Sequence, residues 1–161
     1  DDMVAEADSS MRDAGESVKT ILDSLEDLKN RLVQYVCMDS LDFLRKGGRI
    51  GNAVKWLGGA LHIRPLVTIN HQTGLVDPVS LARTHTGIVE LMYKKFFGHF
   101  QEGDKLHIAV LHGNSPNEAE KLAQRIRDEF HPVELLINIT GPVLGINTGP
   151  NALALAGYAE A

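Results

Sequence analysis

Between residues 16 and 30, ESVKTILDSLEDLKN, apolar positions recur at helical spacing. Val18, Ile21, Leu22, Leu25 and Leu28 share one face and charged residues take the other, which predicts an amphipathic helix. VQYVC (33–37) is short, apolar and rich in β-branched residues, so it predicts a strand. LDFLRK (41–46) predicts a short helix, capped by Asp39 or Ser40 and stopped by Gly47-Gly48. A second short helix is expected at about 50–58, carrying Ile50, Val54, Trp56 and Leu57. RPLVTIN (64–70) predicts a strand with Pro65 at its start or near a sheet edge. HQTG then forms a turn around Gly74, and LVDPV completes a hairpin.

SLARTHTGIVELMYKKFF (80–97) predicts a helix with Ser80 as N-cap and Gly98 as its stop. KLHIAVLH (105–112) is expected to be a buried strand. PNEAEKLAQRIRDEF (116–130) predicts a helix opened by Pro116, and VELLINI (133–139) a further strand. Beyond Thr140 glycine and proline punctuate the chain, leaving a short apolar run, VLGI, before an NTGPN loop. Hairpins mixed with βα units imply an α/β, or α+β layered, sandwich. Its mixed sheet is expected to have about five to six strands with helices packed on it.

Composition narrows the function classes. The chain has 161 residues, enough for one domain with a substantial core. A formal charge of −5 provides no basic field for nucleic acid or an anionic membrane, so no nucleic-acid partner is expected. No apolar run is long enough for a transmembrane helix, so no integral membrane segment is expected. The single cysteine, Cys37, permits no internal disulfide and fits a reducing, cytoplasmic setting. The opening DDMVAEADSS has no signal-peptide pattern and no initiator methionine, which suggests a fragment of a longer protein or one half of a fusion.

Three stretches carry candidate chemistry. Gly47-Gly48-Arg49 lies between two predicted helices, and its glycines let a backbone or ligand approach closely. Arg49 is expected at the start of the second helix, where the dipole disfavours a cation. Either it holds a carboxylate or phosphate, or it braces a nearby acid or carbonyl. INTGPN (146–151) can present Asn147, Thr148 and backbone N–H groups to an anion, or can be a plain chain reversal. HGNSPNEAEK (112–121) is a strand-to-helix turn able to bind phosphate, or an ordinary capped turn, and it lacks GxxxxGK[ST] and GxGxxG. Seven histidines show no HxxxH or HExxH spacing, so no metal site is expected. No nucleophile has the flanks of a catalytic elbow, so a binding module without catalysis and without a cofactor is expected.

The ordered residues Leu41, Leu44, Lys46, Gly47, Gly48, Arg49 and Ile50, then Leu57-Gly58, Leu61, Arg64-Pro65 and Arg83-Thr84, resemble the DegV family of bacterial fatty-acid-binding proteins. The loop Gly145-Ile146-Asn147-Thr148-Gly149-Pro150-Asn151 is similar to that family's late glycine-rich loop. The resemblance implies a two-domain protein that buries one long-chain fatty acid and presents it to a fatty acid kinase of the DAK type. Residues 1–32 would lead in from the first-domain boundary, and 33–161 would form the C-terminal domain, the lid half. The N-terminal DegV domain, which supplies hydroxyl groups to the carboxylate, would be missing from the chain. The resemblance assigns Arg49 and Asn147 to the head group, with Gly48 and Thr148 beside them. Ile50, Val54 and Leu57 would line the acyl tunnel, and Arg83 would dock the kinase. Asn147 stands where the family has histidine, so the position donates a neutral hydrogen bond and carries no charge. Asn151 stands in place of a glycine. Two alternatives remain open: a phosphate- or nucleotide-binding enzyme domain around His112–Pro116, and a regulatory DegV-like module that has lost lipid binding.

Overall fold

The computed structural model describes residues 9, 11–56 and 63–160. Two compact units divide the chain, residues 1–32 and 33–161. In the first, helix α1 (Val18–Arg31) opens at Ser17, whose hydroxyl accepts from the Thr20 N–H at 3.2 Å. Ile21 and Leu28 of the predicted apolar face are buried, whereas Val18 and Leu22 are exposed.

The second unit is built on one mixed six-stranded sheet. Its strands are β1 (Val33–Cys37), β2 (Arg64–Ile69), β3 (Val76–Ala82), β4 (Leu106–His112), β5 (Glu134–Ile139) and β6 (Leu153–Ala159). They lie in the order β3-β2-β1-β6-β4-β5, in which only β4 and β5 run parallel. The helices are α2 (Asp42–Lys46), α3 (His85–Phe97), α4 (Pro116–Phe130) and α5 (Pro142–Thr148), with a 3-10 turn at Gly51–Trp56. The sandwich of sheet and helices is the expected fold class.

Period-two alternation divides the apolar side chains between two clusters. Cys37, Leu66, Val110 and Leu155 join Ile88, Met92 and Phe96 of α3 and Ile126 of α4 in the larger one. The neighbours Met38 and Val67 join Leu41, Leu44 and Ala53 in the smaller one. Strands β1, β2 and β3 thus feed a core on both faces, whereas β4, β5 and β6 contribute to the larger one. The hairpin β2–β3 turns at Gly74 as expected, with Asn70 N–H donating to Leu75 O at 2.9 Å. Pro78 lies in the edge strand β3, beside a register shift at Leu66/Val67.

Several expectations are corrected. Ser80 and Leu81 belong to β3, opposite Leu66 and Pro65, and α3 is capped by Thr84, whose hydroxyl accepts from the Gly87 N–H at 3.1 Å. Strand pairing outcompetes the helical spacing there. Asp39 does not cap α2; it pairs with Arg64, and the Ser40 hydroxyl accepts from the Asp42 N–H at 3.2 Å. The helix expected at about 50–58 is a 3-10 turn through Trp56, and residues 57–62 lie outside the described residues. Two elements of the second unit differ from expectation: α5, which runs unbroken through Gly145, and β6, the alanine-rich LALAGYA.

Candidate functional site

Helix α2 ends at Gly47, and the chain reverses at Gly48, where φ is +67°. The Arg49 N–H donates back to Leu44 O at 2.9 Å. Arg49 therefore stands just past the C-terminus of α2, where the helix dipole favours a cation, and not at the start of a following helix. Its side chain is exposed and has no hydrogen bond or ion pair among the described residues. Ile50 packs on the smaller cluster, Val54 is exposed, and Leu57 lies outside the described residues.

The expected INTGPN loop begins inside a helix. Ile146, Asn147 and Thr148 complete α5, and the turn proper is Gly149–Asn151. Pro142 opens the helix without a side-chain cap at Gly141. The Asn147 Nδ2 donates to Val143 O at 2.8 Å, and the Thr148 hydroxyl donates to Leu144 O at 3.1 Å. Thr148 is buried, so its hydroxyl holds the helix end together. On the outside of α5, Val143 and Ile146 are 78% and 69% exposed.

Folding brings α2 and α5 together. A Cβ on Gly47 would collide with Asn147 Oδ1. A Cβ on Gly149 would stand 2.5 Å from Phe43 Cδ2. Asn151 Nδ2 donates to Asp39 Oδ2 at 3.1 Å. Residues 39, 43 and 47 thus meet 151, 149 and 147, an antiparallel run in which steps of four on one segment face steps of two on the other. Beside α5 opens a groove of about 310 Å³, lined by Gly113, Thr140, Gly145, Ile146, Gly149 and Pro150 among others. The Thr140 hydroxyl is buried and has no partner among the described residues.

Phe43 was not singled out from the sequence, and Asp39 and Asn151 were named there only as a helix cap and a loop residue, not as partners. The spacing of Asp39, Phe43 and Gly47 was the available signal, but its partners lie about a hundred residues away. Arg83 is exposed between β3 and α3, with no side-chain partner among the described residues. The turn at His112–Pro116 offers few donors for phosphate. Gly113 N–H donates to Ala152 O at 2.8 Å, Ser115 N–H donates to His112 Nδ1 at 3.3 Å, and Pro116 has no N–H. Glu118 adds a carboxylate to the first turn of α4. Among the described residues no group of three or more His, Cys, Asp or Glu could hold a metal, and no helix is long and apolar enough to cross a membrane.

Residues 2–160 match a family model described as an uncharacterised protein of the DegV family. A DegV domain-containing protein of Deinococcus radiodurans is 30% identical over 88% of this chain and 50% of its own length. One from Clostridium acetobutylicum is 33% identical over 91% of the chain and 50% of its own length. The chain thus spans about half the length of these relatives. A Thermus thermophilus structure, described as fatty acid binding of a DegV family protein, superposes with a TM-score of 0.88 at 28% identity. That match covers 98% of this chain and 56% of the other. Bacillus subtilis DegV, described as a fatty acid binding protein, shares the fold at 23% identity and a TM-score of 0.84, covering 98% and 56%.

Proposed function

This chain belongs to the DegV family, and from that premise we propose that it is the lid half of a two-domain protein that binds one long-chain fatty acid. The carrying observation is the join between α2 and α5. It sets an unpaired cation, Arg49, just past one helix end and the neutral amide of Asn147 against Gly47, while Val143 and Ile146 stay exposed on α5. A fatty acid needs that combination: one charge for the carboxylate and apolar surface for the chain. The description of the Thermus thermophilus relative supports this ligand class.

In this reading Arg49 holds the carboxylate, and Asn147 contributes its second amide N–H, the first being committed to Val143 O. Gly48 and Thr148 shape the two helix ends that carry them. Ile50 and Val54 face the acyl chain once the N-terminal domain is in place. The protein is a cytoplasmic carrier and not an enzyme, and Arg83 contacts the fatty acid kinase that receives the bound lipid.

The commitment of the Asn147 amide to its own helix favours one second reading, a regulatory module that no longer binds lipid. Native mass spectrometry with lipid extraction separates the two. Fatty acid retained by the protein containing both halves and absent from this chain alone supports the two-domain clamp. A folded two-domain protein free of fatty acid supports the regulatory module.

A further inference from the structure

Of the three rungs joining α2 and α5, two are set by the absence of a side chain, at Gly47 and Gly149. The third is a side-chain bond, Asn151 Nδ2 donating to Asp39 Oδ2 at 3.1 Å. Asn151 holds this bond at a φ of +63°, a left-handed conformation that disfavours most side chains and that asparagine tolerates better than most. Glycine would enter that conformation more easily but could not reach Asp39.

The other oxygen of Asp39, Oδ1, is buried and accepts no hydrogen bond among the described residues. It is ion-paired with Arg64, and His85 Nδ1 stands 4.0 Å from the same oxygen. On its other side His85 meets Glu118 Oε1 at 2.5 Å. Arg64 opens β2, His85 opens α3 and Glu118 lies in the first turn of α4. The carboxylate that receives Asn151 is therefore oriented by the rigid end of the sheet. A charged acceptor makes this the strongest directional contact between the two segments.

Resting on the fatty-acid reading above, we infer that Asp39 is a positioning residue for the head-group end of the site. Through Asn151 it holds the Gly149–Asn151 turn, and with it the end of α5 that carries Asn147, over the end of α2 that carries Arg49. It touches no ligand itself. Its loss lets α5 swing from α2 and opens the site for release.

The test has two readouts on the protein containing both halves. The first is amide exchange at Gly149, whose N–H closes α5 by donating to Gly145 O at 2.8 Å. Exchange at Val110, in the core, serves as the gauge of global stability. Asp39→Ala is expected to speed Gly149 exchange about tenfold relative to Val110, the effect of one lost hydrogen bond. Asp39→Asn keeps an acceptor oxygen for Asn151 and is expected to restore most of the protection. Asn151→Gly removes the tether without backbone strain, so it carries the test if Asp39→Ala does not fold. Unchanged exchange, or equal acceleration at Gly149 and Val110, overturns the inference.

The second readout is the release rate of bound cis-parinaric acid. Asp39→Ala and Asn151→Gly are each expected to speed release about tenfold, and the double variant no further. Faster exchange with unchanged release overturns the positioning role. If the unmodified protein binds no cis-parinaric acid, it is the fatty-acid reading that fails, and the exchange measurement alone then decides the tether.

Discussion

The side-chain amide of Asn147 lies against the Cα of Gly47, at a point where a methyl group would strike its Oδ1. Gly47 has a helical φ of −78°, so alanine there is conformationally free and the obstruction is purely steric. Because the obstructing atom ends a side chain that can turn aside, Gly47→Ala is expected to cost about 0.5–1.5 kcal/mol, as for a displaced rotamer. Removing the obstructing amide with Asn147→Ala in the same chain should recover most of that loss. Urea denaturation of the two single variants and the double variant measures it, and strict additivity would refute the contact.

Arg49 separates binding from folding. Its side chain makes no hydrogen bond or ion pair among the described residues. Arg49→Ala is therefore expected to change stability by less than about 0.5 kcal/mol, as for other exposed substitutions. In the protein containing both halves it should weaken fatty-acid affinity about tenfold or more. Calorimetric titration with a long-chain fatty acid reads this, and unchanged affinity would remove Arg49 from the head-group site.

His107 links stability to pH. Burial alone would lower its pKa, but hydrogen bonds to Glu134 at 3.0 Å and Glu160 at 3.2 Å raise it above the ordinary value. Its ring also stacks on Tyr158 at 4.8 Å. A raised folded-state pKa favours the folded state while histidine is protonated in both states, below about pH 6.5. The contribution fades as pH rises through the folded-state value. Chemical denaturation of the native protein and His107→Gln should thus show a larger stability gap at pH 5.5 than at pH 8.5. An equal gap at both would contradict the assignment.

Cys37 is fully buried, and burial pushes its thiol pKa up to about 12. As the thiolate is the reactive form, the native protein is expected to resist iodoacetamide. Labelling should appear only with unfolding, so its dependence on urea should track the loss of circular dichroism. Rapid labelling without denaturant would show that this end of β1 opens locally.

Strong local patterns were legible along the chain. β4 and α4 follow from one apolar run and one amphipathic run, and Pro116 opens α4, Gly74 turns the β2–β3 hairpin and Gly98 ends α3 as chain chemistry requires. The ordered motif from Leu41 to Thr84 carried the family. What stayed hidden depends on long-range partners. LALAGYA has little strand propensity, yet as β6 it lies at the sheet centre between β1 and β4, where alanine and glycine let neighbouring layers approach. Gly157 shows this directly, since a Cβ there would stand 3.0 Å from Phe96 Cζ of α3.

The candidate site divides the same way. The sequence by itself determined that Gly47-Gly48 ends a helix and that Arg49 follows it, because these are properties of residue type and local spacing. Only the tertiary structure decided that Arg49 is left without a partner among the described residues, that Thr148 is buried, and that Asp39 reaches Asn151. The physical reason is that a side chain's role follows from the groups within about 4 Å of it, and the partner of Asp39 lies 112 residues along the chain, brought beside it by strand pairing that no local pattern encodes.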